Sequence, residues 1–288
     1  MGDNELPPMS LRIVQPCEAL RPYVSGYYVS EIDSAVPITD LSVPEWGSIR
    51  LIYAGGFAVE TGFDAGQFIR NSVVQGPSSK AVGFTIQFCH MVGIGLLPAG
   101  FARLWNADIG RITDRSRPLE SMIGDAVPKL IGAIGNARSI DDRFGIAESY
   151  LLTRLRDTPP NAASEEVSRI QALLNNPMIG DAEQLARAMG RNPSALARLC
   201  KKHFGFAPKL LLRRQRFLRM LDALHARPYA EWPEFLDPQY TDQSHMIRDF
   251  RYFMGTSPTR YLALPRMVQK ASAAHRSAAL GSALQGLA

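Results

Sequence analysis

The sequence predicts an α+β protein with a sheet-rich N-terminal domain and an all-helical C-terminal domain. Three observations support this prediction. Residues 11–87 are rich in Gly, Pro, aromatic and β-branched residues, which is typical of short strands joined by turns. After Pro98, apolar residues recur at intervals of three and four, the period of a helix. Residues 157–164 combine two prolines with small polar residues, which break a helix and mark a boundary. The predicted divisions are a first domain at 1–157, a linker at 158–164, a helical domain at 165–266 and a flexible tail at 267–288.

The first domain shows strands followed by helices. Many short strands with turn signals between them predict a small barrel or sandwich. The expected strands are Tyr23–Val29, Ile49–Tyr53, Ser72–Val74 and Phe84–Phe88. The expected helices are Ala99–Trp105, Leu119–Ala133 and Asp142–Leu155.

Composition limits the class of protein. Hydrophobic residues make up 46% of the chain and charged residues 20%, which excludes wholesale disorder. The N-terminus lacks the pattern of a signal peptide, and the longest apolar run, residues 92–105, is broken by Pro98 and three glycines. The three cysteines are far apart and odd in number, which is not a disulfide or zinc pattern. We therefore expect a cytoplasmic protein with no membrane partner.

Charge is divided unequally along the chain. Residues 1–164 contain 14 Lys and Arg against 17 Asp and Glu, a net charge of −3, whereas residues 165–266 contain 16 against 10, a net charge of +6. Between Ser194 and Arg219 there are eight basic residues and no acidic one. This distribution indicates a polyanion as partner, although a solvated helix face would give the same composition.

The C-terminal domain contains one arrangement twice, and its first copy starts near Asp181. Asp181 and Gln184 form a capping box that starts a helix, and Gly190 ends it. Asn192 and Pro193 then open a second helix, because they supply an N-cap and a favoured first helical position. This spacing predicts a helix-turn-helix unit, whose outward face carries Ser194, Ala197, Arg198, Lys201 and Lys202.

The second copy follows a long connecting helix predicted at about Lys209–Leu224. Thr241 or Asp242 caps a helix whose core face carries Met246, Ile247, Phe250 and Phe253. Its outer face carries Gln243, Ser244, Arg248 and Arg251. Residues 255–258 then repeat the glycine, cap and proline punctuation of residues 205–208.

These C-terminal motifs resemble those of the AraC/XylS family of transcription regulators. The second unit of that family commonly reads as an aromatic residue, D-Q-S-H, R-x-F-(K/R) and G-x-(T/S)-P-x-x-Y. The matching positions here are Tyr240, Asp242–His245, Arg248–Arg251, Gly255, Ser257, Pro258 and Tyr261. The chain departs from the pattern just before Tyr240, where the family commonly has a small residue such as Gly and this chain reads Asp-Pro-Gln at residues 237–239. Pro233 lies within the helix expected before this segment, which predicts that the helix is short.

The resemblance implies a set of DNA-binding residues. The base readers carried over by position are Ser194, Ala197, Arg198, Gln243, Ser244 and Arg248. Arg198 and Arg248 are the strongest of these, since an arginine can donate two hydrogen bonds to guanine. The remaining candidates are Lys201, Lys202, Arg213, His245 and Arg251, of which Lys201 and Arg213 are expected to meet phosphates. For His245 the alternative is packing at the start of its helix.

The resemblance also implies a function for the whole chain. It implies a transcription regulator, either an activator or a repressor, with promoter DNA and RNA polymerase as partners and with a small-molecule effector and a homodimer as further expectations. Segments such as Cys17–Val24 and Val92–Gly100 resemble the degenerate cupin-like sensor barrel of one branch of the family, which implies a sensor or dimerisation domain at residues 1–157.

The sequence holds no recognisable enzyme site. One Cys-His pair, Cys89 and His90, cannot fill a four-ligand metal site, so a buried structural histidine is expected there, with no cofactor or metal. The alternative from another class is a cupin-type enzyme or small-molecule carrier fused to a nucleic-acid-binding module.

Overall fold

The structure is a computed structural model that describes residues 9–226 and 239–285. The predicted α+β class is confirmed, because an antiparallel sheet comes first and helices follow. None of the helices in these two ranges combines the length and apolar composition that crossing a bilayer requires. Pro233, Pro238 and the short helix expected around them lie outside the described ranges.

One antiparallel sheet forms most of the N-terminal half. The strands are β1 (Met9–Val14), β2 (Val24–Ser42), β3 (Ser48–Thr61), β4 (Phe68–Ile69), β5 (Val73–Gln75), β6 (Val82–Leu96) and β7 (Ser116–Pro118). They pair in the order β1-β2-β6-β3-β5-β7, with β4 beside β3. The order is an open path, in which β1 and β7 are the end strands among the residues described.

The long strands exceed their predicted lengths. The register of β2 against β6 shifts between Asp33 and Ile38, where a bulge or irregularity interrupts the ladder. A bulge breaks the strict alternation of side chains, so the second half of such a strand does not show the pattern that identifies its first half.

Four helices cover one face of the sheet, namely α1 (Pro98–Trp105), α2 (Glu120–Ile123), α3 (Ala126–Gly135) and α4 (Ile140–Asp157). The single helix expected at Leu119–Ala133 is wrong, because Gly124 adopts φ +58° between α2 and α3. Phe144 and Leu151 of α4 belong to the same buried core as Tyr27 and Val29 of the sheet.

The helical domain follows after a shorter break than predicted. Asn161 caps α5 through a 2.8 Å hydrogen bond from the Ser164 amide, so the break covers only residues 158–161. The helices that follow are α5 (Ala162–Asn175), α6 (Ala182–Met189), α7 (Pro193–Phe204), α8 (Pro208–Ala226), α9 (Gln243–Met254) and α10 (Pro258–Ala263).

The flexible tail expected from residue 267 is wrong for residues 267–285. Residues Met267–Leu280 form helix α11, which packs against β1 and β2. Beyond it, the buried Gln285 side chain accepts a 2.8 Å hydrogen bond from the Trp46 amide and donates to Ser25 Oγ at 3.0 Å. The segment was missed because its partners lie more than 200 positions away in the chain.

Candidate DNA-binding surface

The first helix-turn-helix unit consists of α6 and α7, and its ends are the predicted ones. Asp181 Oδ1 accepts a 2.8 Å hydrogen bond from the Gln184 amide, and Asn192 Oδ1 accepts one of the same length from the Ala195 amide. Gly190 ends α6 with φ +62°, a conformation that favours glycine. These caps fix the turn that orients α7.

Helix α7 buries one side and leaves a basic side open. Leu196 and Cys200 are buried core residues, and burial raises the pKa of the Cys200 thiol to about 12. On the opposite side Ser194, Arg198, Lys201 and Lys202 are exposed, whereas Ala197 is half-buried. The three cations on this face form no ion pair with a carboxylate of the described chain.

The second recognition helix, α9, is built in the same way. Asp242, not Thr241, is the cap, because its Oδ1 accepts a 2.7 Å hydrogen bond from the His245 amide, and this bond lowers the pKa of Asp242. Gly255 ends the helix with φ +69°. The exposed side chains on its outer face are Gln243, Ser244, Arg248 and Arg251.

Arg213 does not lie on this open surface. Its Nε atom lies 2.7 Å from Asp249 Oδ1, and its guanidinium lies 4.2 Å from the centre of the Tyr252 ring. Because its charge is already paired inside the domain, the phosphate contact expected for Arg213 is not supported by its position.

Asp249 is the residue of this surface's support that sequence reasoning missed. Its side chain, 1% exposed, also receives Arg216 Nη2 at 3.2 Å and the Tyr240 hydroxyl at 3.2 Å. These contacts join α8 to α9 and fix the angle at which α9 leaves the connecting helix. The signal was present, since Asp249 is an acid between Met246 and Phe253 on the apolar face of its helix.

His245 takes the alternative role, packing at the start of α9. Its ring stands edge-on to Tyr240 at 5.2 Å between centroids, and its Nε2 atom lies 3.3 Å from Arg216 Nη2. The side chain is half-buried, which makes it part of the support of α9.

Two loops of the N-terminal half touch the helix-turn-helix units, one at α9 and the other at α7. These bridging loops, residues 77–81 and 108–114, are joined by a 2.6 Å hydrogen bond from the Ser79 amide to Asp114 Oδ1. The Ala81 amide donates a 2.7 Å hydrogen bond to the Phe253 carbonyl at the end of α9. Gly110 packs so closely on α7 that an added Cβ would lie 2.6 Å from the Lys201 carbonyl oxygen. The two loops therefore connect the N-terminal half to both helices.

His90 is not the buried structural histidine that the sequence predicted. Its side chain is 23% exposed and its Nε2 atom lies 2.8 Å from Asp33 Oδ2. Cys89 is buried, and burial raises the pKa of its thiol to about 12. Residues 9–226 and 239–285 contain no cluster of three or more His, Cys, Asp or Glu side chains that could hold a metal ion.

Two family models match the chain. Residues 185–263 match a helix-turn-helix domain, and residues 12–118 match a domain of unknown function, DUF6597. None of the curated proteins matches the chain at a significant level of sequence similarity.

Among solved structures, similarity is found to ToxT from Vibrio cholerae. One crystal form is 12% identical, with a TM-score of 0.44, over 88% of this chain and 97% of ToxT. The apo form of a single-residue variant of ToxT is 9% identical, with a TM-score of 0.42, over 88% and 96%. ToxT from strain O395 is 10% identical, with a TM-score of 0.40, over 79% and 97%. These scores are too low to establish a common fold.

The matched range 185–263 begins inside α6 and ends at α10, so it contains both recognition helices and the helix that joins them. The motifs at Asp242–His245, Arg248–Arg251 and Tyr261 lie within it. The chain therefore contains a helix-turn-helix domain, as its motifs predict, and a domain of unknown function lies ahead of it.

Proposed function

We propose that this chain binds one asymmetric promoter site through α7 and α9, and that the N-terminal half controls this binding. The observation that carries the proposal is the pair of exposed basic helices held on a single connecting helix. Helix α8 has 19 residues and is about 28 Å long at about 1.5 Å per residue. A helix of this length can hold the two readers at nearly fixed spacing over neighbouring major-groove segments, which lie about 34 Å apart on one face of DNA.

Each recognition helix has one principal reader in this proposal. Arg198 on α7 and Arg248 on α9 are exposed and lie at equivalent positions, each being the sixth residue of its helix. An arginine at such a position can donate two hydrogen bonds to guanine O6 and N7. Gln243 and the small side chains Ser194, Ala197 and Ser244 complete the two surfaces, while Lys201, Lys202 and Arg251 are placed for phosphates.

The proposed control rests on the bridging loops. They contact the ends of both α7 and α9, so a ligand or partner that moves them changes the spacing of the readers. We assign residues 1–157 to this sensing role and residues 165–266 to DNA binding. Activation through RNA polymerase and homodimer formation rest on the family resemblance, and transcription from a promoter template and sedimentation of the full chain test them.

Selection of bound sequences from random duplex DNA with the full chain tests the proposal. We expect a single asymmetric site of two short blocks about one helical turn apart. A palindromic site, or one block alone, would contradict binding by two readers of one chain. Metal analysis of the purified full chain tests the alternative, a cupin-type enzyme or small-molecule carrier fused to a nucleic-acid-binding module, because a stoichiometric metal would favour it.

A further inference from the structure

The last segment of the chain lies beyond both matched family ranges and closes one face of the sheet. Besides the hydrogen bonds of Gln285 to Trp46 and Ser25, the Gln269 amide of α11 donates a 2.9 Å hydrogen bond to Asp40 Oδ2 on β2. These contacts are buried at both ends of the segment, so α11 is fixed against the sheet.

A cavity remains between α11 and the sheet. Its volume is about 140 Å³, close to the roughly 150 Å³ of an apolar cavity known to accept benzene. The strands line it with Ile32, Phe57, Phe84, Ile86 and Met91, and α11 adds Ser272 and Ala273. A molecule inside it would be surrounded mainly by apolar side chains.

Two arginines contribute to the lining of this cavity. Arg276 of α11 is 7% exposed, and its Nη1 atom is buried without a hydrogen-bond partner in the described chain. The Nε atom of Arg50 on β3 is likewise buried and unpartnered there. Burying an unsatisfied donor of a charged group costs free energy, so both groups favour an anionic acceptor.

The register of the sheet explains how the polar end of the cavity is built. Tyr28 on β2 and Arg50 on β3 both pair with Gly93 on the strand between them. An added Cβ at Gly93 would lie 1.9 Å from the Tyr28 ring, so the absence of a side chain lets the ring lie across β6 towards Arg50. Burial raises the pKa of Tyr28 and the nearby Arg50 opposes this effect, so the phenol stays a neutral donor at neutral pH.

The charged side chains that line the cavity indicate the charge of its ligand. The ionisable groups that line the cavity are Glu45, Tyr28 and the two arginines, so one carboxylate faces two guanidinium groups. A single additional negative charge balances them. A guanidinium matches a carboxylate with two parallel hydrogen bonds.

We propose that this cavity binds a small monocarboxylate of about six carbon atoms, and that Arg276 and Arg50 hold its carboxylate. The ligand would therefore bridge the sheet and the C-terminal segment. The same segment also contacts the second helix-turn-helix unit, since Leu284 shares a buried core with Phe250 and Tyr261. The regulatory consequence rests on the proposed function, whereas ligand binding itself does not.

Titration calorimetry of the full chain at pH 7.5 tests the site, with hexanoate as probe and hexan-1-ol as the neutral match. We expect hexanoate to bind at least tenfold more tightly than hexan-1-ol. Arg276→Gln should weaken the binding of hexanoate at least tenfold. Lys270→Gln, an exposed cation on the same helix and away from the cavity, should leave binding unchanged. Equal binding of the acid and the alcohol, no binding of hexanoate, or unaltered binding to Arg276→Gln would overturn the proposal.

A second variant separates loss of the site from loss of the fold. Ser272→Leu places apolar atoms in the cavity and keeps both arginines, so it should abolish hexanoate binding while thermal unfolding stays cooperative. If Ser272→Leu still binds hexanoate, the ligand does not bind in this cavity. Selection of bound sequences from random duplex DNA tests the proposed function independently of ligand binding. If the protein binds hexanoate but selects no duplex, only the proposed function is refuted.

Discussion

The guanidinium of Arg214 on the connecting helix lies 4.2 Å from the centre of the Trp46 ring in the N-terminal half. Both side chains are fully buried. Burial lowers the pKa of Arg214 to about 9, and the nearby Glu45 and Asp114 oppose this effect. The helix that spaces the two readers is thus anchored to the N-terminal half by a buried cation against an indole ring.

Replacing these two residues should reveal that they act together. Trp46→Leu should cost about 3 kcal/mol, because it leaves a cavity and removes the ring from a buried cation. Arg214→Met should cost less, since it also removes a charge that is expensive to bury. Urea unfolding of the single and double variants should give a coupling free energy of about 1–2 kcal/mol. If the two losses of unfolding free energy simply add in the double variant, the contact between Trp46 and Arg214 does not contribute to stability.

The Asp249 network should hold α9 at its angle to α8. Asp249→Asn leaves Arg213 and Arg216 without their common carboxylate, so we expect a stability loss of roughly 3 kcal/mol. Preference in the DNA block read by α9 should also relax. Glu183→Gln is the control, because its ion pair with Arg187 is exposed and should contribute less than about 0.5 kcal/mol. If Asp249→Asn is no more destabilising than this control, the network does not fix the helix.

Salt dependence separates Lys201 from Arg213. Lys201 is exposed and has no ion pair with a described carboxylate, so Lys201→Ala should lower the slope of log K against log salt by about one. Arg213→Ala should leave this slope unchanged while lowering stability, because Arg213 pairs with Asp249. Binding isotherms at four salt concentrations measure both slopes. A lower slope for Arg213→Ala would show that Arg213 contacts a DNA phosphate after all.

Stability should fall in mild acid because of His225. Burial and the nearby Arg266 lower its pKa to about 4, whereas the unfolded chain has about 6.5. Between these values the unfolded chain binds a proton that the folded protein does not, so the stability is lost as pH falls from 6.5 to 4. The full loss below pH 4 is about 3 kcal/mol.

The His225→Gln variant isolates this contribution. Its unfolding free energy should fall less between pH 7 and pH 4 than that of the wild type, since His203, whose pKa burial also lowers, contributes equally to both proteins. Parallel curves for the two proteins would show that His225 titrates normally in the folded state.

The helix-turn-helix units were predictable because their boundaries are encoded locally. Asp181, Asn192, Asp242 and Ser257 cap the helices they precede, and Gly190 lies at a turn that needs a positive φ. Each signal depends on residues only three or four positions apart, which is the range over which sequence patterns can be read.

Long-range packing was not predictable in the same way. The Ala- and Ser-rich sequence of α11 has no strong apolar stripe, and the buried contacts of Gln269 and Gln285 are made with Asp40 and Trp46 at the other end of the chain. The pairing of Arg213 with Asp249 likewise depends on how two helices meet. Composition placed Arg213 in a basic surface, and only the fold shows that its charge is paired.

Footprinting of the full chain on its selected site, with Arg198→Ala and Arg248→Ala, tests the two-reader claim most directly. We expect protection of two major-groove segments about 34 Å apart. Arg198→Ala should relax preference in one block and Arg248→Ala in the other, each at a cost of about 1–3 kcal/mol. Arg156→Ala, an exposed arginine on α4, should change neither block. If both variants affect the same block, or protection covers one groove segment only, α7 and α9 do not read DNA as a pair.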